Sequence, residues 1–493
     1  MLSIGSKWPK GPPHQHNSRT VPGATRAPPP RVGGKLGRGT YMDMAHNHVQ
    51  SLGEAESVWF KLGLLTKETH PMQVLMRLND RYGGCVPINL KDERIFFLSD
   101  VQYFEQIMVK SADKYEKYFD GLRPIFGNSM ITIDGALWQK IRIPQQPAFM
   151  PKMFNEYLPY LLSSVQDKTK QWERLAETGE TVNMLEETWG LAASMICKAL
   201  FNREVPFNPE VIFRAVKTYT DVGNHSSIRM KKAQGAAEVS PEEGAADAIL
   251  KWLSVPGGVL AAPERDKRPV TLLSMMQDAV KDPARPEFTE AQVIDEMKQY
   301  LWAGTETTAL TLAWCFYLLY LHPEVADRIR REGEDTYGDR VPTWEDIHGL
   351  TYTRSVIQET MRLYPPIWSF MRQAVAEDEI GGHQVKPGDK MVLCAYIVHH
   401  HPKYWNDPEL FDPGRFSPEN ATKRAKYSYL PFGAGKRSCI GGALSLVENT
   451  LALTQLLRRF RPEYLGETPA GISATVTLTP ENGRLPFRIR PLA

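Results

Sequence analysis

Apolar positions along this chain recur mostly at helical spacing, and only short stretches alternate as strands do. "PMQVLMRLNDRYGG", from Pro71, has the helical pattern. "CVPINLKDERIFFLS" alternates on both sides of a polar turn at Lys91, Asp92 and Glu93, which predicts two short strands. "SDVQYFEQIMVK" follows as a helix that Ser99 or Asp100 can cap. From about Asp134 to Pro480 helical patterns dominate, over Leu137–Gln145, Leu158–Thr178, Leu185–Phe201, Pro209–Thr220, Leu272–Asp282 and Ala291–His322. "SATVTLTP" and "PFRIRP" bring back a minor strand component near the end, and "KKAQGAAEVSPEEGAADA" reads as a mobile surface connection.

The pattern shows no internal repeat and no linker after residue 55. It predicts a mainly α chain with one large domain over 56–493 and a small β-sheet subdomain. Residues 1–55 read differently. The first 40 carry seven Lys/Arg, no Asp or Glu, and many Pro and Gly, the composition of a disordered basic tail.

Composition narrows the function classes. A formal charge of +2 over 493 residues is too mild to make nucleic acid the main partner. No segment reaches about 18 uninterrupted apolar residues, so no transmembrane segment is expected and a soluble cytoplasmic protein is, with membrane-surface attachment as the weaker alternative. Five widely spaced cysteines with no CxxC pair argue against a disulfide framework. Cys85, Cys197, Cys315 and Cys394 have apolar neighbours and read as small buried hydrophobes. Only Cys439 sits in a polar, Gly-rich setting.

That setting, "PFGAGKRSCIGG" from Pro431 to Gly442, raises three readings: a phosphate cradle, a reactive thiol, or a thiolate that holds a metal. A P-loop fails, because Leu430 stands where its first Gly belongs and Arg437 replaces the hydroxyl residue. A second unusual stretch lies inside the longest helix, which opens with the capping-box pattern Thr289…Gln292 and runs about 45 Å. Its centre, "AGTETT", places Gly304, an acid and three threonines between apolar flanks. Gly304 alone costs up to about 1 kcal/mol there relative to Ala. Either the helix kinks, with Thr hydroxyls bonded to carbonyls four residues back, or a bulky group approaches beside an acid–alcohol pair, Glu306 and Thr307, that handles protons.

Further motifs are weaker alone. In "QETMRLYPP", Glu359 and Arg362 share one face of a helix that Pro365 and Pro366 end, and Arg415 of "DPGRF" is expected to converge on Glu359 in a buried triad that pins the loop before Cys439. In "DGALWQKIR", Trp138 and Arg142 lie one turn apart and can face the same anion.

Phe432, Gly435, Arg437, Cys439 and Gly441 match FxxGxRxCxG. With "AGTETT", ExxR and PxRF in this order, the chain resembles the cytochrome P-450 family of haem-thiolate monooxygenases over roughly residues 56 to 493. The resemblance implies haem b (iron protoporphyrin IX) with Cys439 as the axial ligand of its iron. A thiolate ligand there favours O–O cleavage, and it needs backbone N–H groups and a helix N-terminus to stabilise its charge. Phe432 is then expected to shield the sulfur, and Arg437, Trp138, Arg142 and Arg372 to serve the haem propionates. Ala303 and Gly304 of the kinked helix would lie over the haem, with Glu306 and Thr307 delivering protons.

For the substrate, Ile131, Leu301, Ile367, Val476 and Thr477 are the expected pocket walls, suited to an apolar small molecule that is terpenoid-like or fatty-acid-like. With no GxGxxG after a strand, electrons from NAD(P)H are expected through a separate ferredoxin or flavoprotein reductase. Lys423, Arg424, Lys426 and Lys436 offer that donor a basic face, and the chain is expected to act as a monomer. The competing readings are a peroxide-driven or isomerising enzyme of the same family, and a haem sensor that catalyses nothing.

Overall fold

The structure, a computed structural model, describes residues 71–90, 93–119, 122–204, 270–474 and 476–492. The expected basic tail, the helix at Pro209–Thr220 and the polar connection after it lie outside the described residues. The helices that frame the site are α1 (Pro71–Tyr82), α2 (Gly135–Arg142), α3 (Pro151–Thr178), α4 (Met184–Phe201), α5 (Leu272–Val280), α6 (Glu290–Leu321), α7 (Pro323–Tyr337), α8 (Thr351–Leu363) and α9 (Gly442–Leu457).

Local chemistry sets their ends. Thr289 caps α6 by accepting from the Gln292 N–H at 3.1 Å. The expected reciprocal half of the box is missing, because the Gln292 amide donates instead to the Asn128 carbonyl and to Glu296, both at 2.9 Å. Asp100, not Ser99, caps the helix at Val101–Glu105, which widens into a π-turn over Gln106–Lys110. Helix α3 starts seven residues before the expected Leu158. Pro151 occupies its first turn, where a missing N–H costs nothing, and Pro159 is absorbed inside it. Helix α2 covers only part of Leu137–Gln145, since Pro144 and Pro147 turn the chain into a 3-10 segment at Ile143–Phe149.

Helix α6 crosses the centre and is buried along most of its length, packed on α4 and flanked by α8 and α9. The core around it holds fully buried Trp172, Trp189 and Trp314, with Trp314 stacked on Tyr364 at 4.1 Å between ring centroids. Among the described residues no helix is long and apolar enough to cross a membrane.

The strands form small sheets at the periphery. The largest has the order β1 (Cys85–Leu90), β2 (Glu93–Leu98), β8 (Lys390–Leu393), β5 (Phe370–Ala374), β3 (Tyr115–Lys117), with β2 and β8 parallel and the other pairs antiparallel. Its β3–β5 register sets Lys117 directly opposite Arg372. Strand β4 (Thr181–Asn183) joins β9 (Phe460–Tyr464) through β12 (Pro486–Pro491), and β6 (Asp378–Ile380) pairs with β7 (His383–Val385). A last hairpin, β10 (Ile472–Ala474) with β11 (Leu478–Pro480), carries Val476 and Thr477 near its tip.

Candidate active site

Between α6 and the Gly-rich loop before α9 lies a cavity of about 270 Å³. Cys439, Glu306 and Thr307 all line it. The cysteine wall is built by backbone geometry. The Cys439 N–H donates to the Phe432 carbonyl at 2.9 Å, which folds the loop back on itself. The N–H groups of Gly441 and Gly442 at the start of α9 point at the sulfur. Burial raises the thiol above its ordinary range, and those N–H groups, with Lys117 and Arg142, work against that rise by favouring thiolate.

Two loop glycines have steric reasons. Gly435 has φ +69°, and a Cβ there would strike the Met108 carbonyl of the π-turn, so this glycine keys the loop to its neighbour rather than to a ligand. A Cβ on Gly442 would meet the Phe432 ring at 3.0 Å. A Cβ on Gly441 would make only ordinary contact with Phe149, at 3.8 Å, and Gly441 lines the cavity.

A rim of cations borders this wall. Arg437 pairs with Asp134 at 3.0 Å and donates to the Ile133 carbonyl at 2.8 Å, yet its Nε and Nη1 are buried without partners. Arg142 donates to the Ser438 carbonyl at 3.0 Å, and both guanidiniums lie over the buried Trp138 ring, at 5.3 Å (Arg142) and 4.4 Å (Arg437). Arg372 is buried beside them, and Lys117, which the sequence reading missed, joins through its strand register. Burial, and then crowding by Arg437 and Arg372, pulls Lys117 well below its ordinary range, and burial brings Arg372 and Arg437 down to about 10. Like charges set opposite each other in a sheet are unfavourable unless an anion sits between them. Among the described residues, Asp134 is the acid that pairs with this rim.

The α6 wall sharpens the expectations. The helix is continuous from Glu290 to Leu321, and the Thr307 hydroxyl donates to the Ala303 carbonyl at 2.7 Å, the bond four residues back that the kink reading expected. Gly304 lines the cavity, but a Cβ on it would come 2.8 Å from Ile196 Cδ1, so the close neighbour is helix α4. Leu301 is not a wall: it turns into the main core, and the cavity is lined by Trp302, next along the helix. Ala303, Ile131, Ile367 and Val476 do line it. Trp302 packs at a tilt against Phe126, with ring centroids 4.9 Å apart, and Ile131, Ala303 and Val476 pack around this pair.

Two buried acids border the cavity. Thr477, expected as a wall, donates from Oγ1 to Glu306 Oε1 at 2.8 Å. Burial pushes the Glu306 carboxyl up to about 7, against Thr477 and the nearby Trp302 indole, which favour the charged form. Glu448 of α9 is raised to about 8 by burial, with Thr308 Oγ1 3.4 Å from its Oε2. As the one charged residue in the otherwise uncharged "GALSLVENTLALTQLL", it could have been singled out from the sequence.

Behind the cysteine wall, Arg362 binds Glu359 through two contacts of 2.8 Å, and Arg415 approaches the same carboxylate at 3.3 Å. Arg362 also donates to the carbonyls of His399, Pro408 and Leu410, and Glu359 accepts the Asp412 N–H. The pair therefore ties α8 to the irregular chain that leads to Cys439.

The donor set fits a haem: a sulfur lining a large cavity, orphaned guanidinium nitrogens, and four cations beside one paired carboxylate, Asp134, where the two carboxylates of an iron porphyrin would complete the balance. Comparisons with known proteins agree. The family model described as cytochrome P-450 matches residues 53–234 and 259–487. The chain is 30% identical over 424 residues to a cyclooctat-9-en-7-ol 5-monooxygenase from Streptomyces melanosporofaciens, covering 85% of this chain and 88% of that protein. It is 27% identical over 439 residues to cytochrome P-450 4X1 from Homo sapiens, covering 84% and 85%. The crystal structure of a cytochrome P-450 (CYP102L1) superposes with a TM-score of 0.74 at 24% identity, over 86% of this chain and 95% of that one. With a cysteine loop, a cationic rim and an acid–threonine helix around one cavity, and a family model that spans most of its length, this chain belongs to the cytochrome P-450 family and is a monooxygenase.

Proposed function

We propose that the chain inserts one oxygen atom of O2 into a bulky apolar substrate of terpenoid type. The observation that carries this reading is that Cys439 and the Glu306–Thr307 pair line a single cavity. Haem b, held by Cys439 and by the rim of Lys117, Arg142, Arg372 and Arg437, supplies the oxygen-activating chemistry when bound. The protein's own part is electrostatic and positional. Gly441 and Gly442 stabilise the thiolate, Phe432 packs beside it, and Trp138 holds two rim guanidiniums. Glu306, poised near neutral pH, holds a proton that the Thr307 hydroxyl can pass on by leaving the Ala303 carbonyl.

The walls made by Phe119, Leu122, Ile131, Trp302, Ile367 and Val476 favour a rigid hydrocarbon skeleton, and a relative whose name specifies oxidation of cyclooctat-9-en-7-ol supports a polycyclic one. Electrons from NAD(P)H come through a separate ferredoxin or flavoprotein reductase docked at exposed Lys423, Lys426 and Lys436. Arg424 drops out of that face. Its guanidinium turns inward over the Phe416 ring at 4.5 Å and donates to the Arg415 carbonyl. The same reading places the enzyme in the cytoplasm as a monomer.

The test is product formation from a terpenoid library with NADPH and donor proteins, compared with peroxide alone. Turnover only with peroxide overturns the proposed electron route.

A further inference from the structure

The β10–β11 hairpin touches the site at three points that have no reason to coincide in a plain pocket wall. Val476 packs with Trp302, Ala303 and Ile131 on the substrate side. The Leu478 N–H donates to the Pro366 carbonyl at 3.0 Å, next to Ile367 of the opposite wall. Between Val476 and Leu478, Thr477 is almost fully buried and donates to Glu306.

The other Glu306 oxygen, Oε2, is buried without a hydrogen bond, and so is the Trp302 indole N–H one turn away. Among the described residues no charged side chain pairs with Glu306. The neighbouring acids are engaged elsewhere: Glu448 of α9 with Thr308, and Glu296 farther along α6 with the Met130 N–H and Gln292. The hydrogen bond that Glu306 accepts therefore comes from Thr477, a neutral donor on a turn whose adjacent residue forms the substrate wall.

We propose that Thr477 is a positioning residue for Glu306, and that the hairpin links the fit of the substrate against Val476 to proton delivery. A ligand seated against Val476 presses on the turn that aims the Thr477 hydroxyl. A hydrogen bond to the ionised form of a buried acid favours that form, so its tightening or loosening resets how readily Glu306 holds a proton. A substrate that fits badly leaves the hydroxyl off line, and reducing equivalents are then lost as reduced oxygen instead of appearing in product. This rests on the reading of Glu306 as the proton-holding acid.

The test uses the holoenzyme with Glu306→Gln, Thr477→Val and Thr477→Ser. The carboxyl band of Glu306, identified as the difference-infrared band that Glu306→Gln abolishes, is followed against pH with and without saturating cyclododecane, a bulky apolar probe. In the wild type, cyclododecane is expected to move the band's midpoint. In Thr477→Val the midpoint is expected to rise by about one pH unit and to stop responding to the probe, while Thr477→Ser restores both. The fraction of NADPH converted to product is expected to fall about tenfold in Thr477→Val, with an unchanged Soret band showing that the fold is intact. A wild-type midpoint in Thr477→Val, or none of the probe response in the wild type, overturns the proposal. If Glu306→Gln itself couples normally, the acid role fails first and Thr477 has nothing to position.

Discussion

Replacing Glu359 by glutamine tests the buried frame behind Cys439. Both partners of the Glu359–Arg362 pair are fully buried, and burial outweighs the two arginines so that the Glu359 carboxyl is raised above its ordinary range. The intact pair therefore adds little net stability, but removing one charge from it is expensive, about 3–5 kcal/mol. Glutamine keeps the shape and turns an NH2 group toward a guanidinium that already donates at 2.8 Å, so donor faces donor and the Arg362 charge is left uncompensated. Three carbonyls bound by Arg362, and the Asp412 N–H bound by Glu359, lose their fixed partner together. Set against a typical total of about 5–15 kcal/mol, the loss is about a fifth or more of the stability. The assay is a urea titration of the holoprotein read by the Soret band of the reduced carbon monoxide complex. The expected result is a clearly lower midpoint and a shift of the band toward the thiol-ligated form before global unfolding. A Glu359→Gln protein within about 1 kcal/mol of the wild type, with its thiolate band complete, would refute the reasoning.

Cys439→Ser is expected to lose the red-shifted thiolate Soret band altogether, and its retention would move the ligand elsewhere. Thr307→Ala is expected to lower product formed per NADPH about tenfold or more while the substrate-induced spectral shift stays normal, and tight coupling in that variant counts against the proton relay. Gly304→Ala gains about 1 kcal/mol of helix propensity but pushes a methyl against Ile196 at about 1–3 kcal/mol, so a lowered melting temperature restored by Ile196→Val is expected. Glu448, raised from an ordinary carboxyl to about 8, binds its proton more tightly folded than unfolded. It thus stabilises the fold relative to higher pH, and that contribution is lost as pH rises from the ordinary carboxylate range through about 8. Glu448→Gln should flatten the fall of the urea midpoint between about pH 5 and 8, and an unchanged slope would show that another group sets it.

The cysteine loop was legible because its chemistry is local: glycines, a cation and a thiol within a dozen positions need nothing from the rest of the chain. The Glu359–Arg362 pair was legible for the same reason, as helical neighbours. Lys117 was not, because the cation belongs to a three-residue strand and meets Arg372 only through a register 255 positions long. Leu301 was misassigned because α6 is apolar on nearly every face, so periodicity does not say which of Leu301 and Trp302 looks into the cavity. Thr477 was placed near the right cavity with the wrong task, since its hydroxyl acquires an acid partner only when the last hairpin folds back on the central helix. The helix expected over Leu158–Thr178 already took in Pro159, but its start was placed seven residues late, because the chain continues back to Pro151 in a first turn that tolerates proline.

One feature of the long helix bears on recombination between relatives. The segment before α2 that carries Ile131 turns on its own Ser129 and Thr132 bonds but is held in place from outside: its Asn128, Met130 and Ile131 N–H groups are accepted by Asp295, Glu296 and Gln299 of α6, and Gln292 holds the Asn128 carbonyl. Gly127, at φ +57°, has the Asp295 carboxylate where a Cβ would be. The shape of this pocket edge is therefore written in the sequence of α6, more than 160 residues downstream. A chimera that transplants residues 127–132 alone imports side chains without their backbone template, and a crossover that carries Gln292, Asp295, Glu296 and Gln299 along transfers the wall intact.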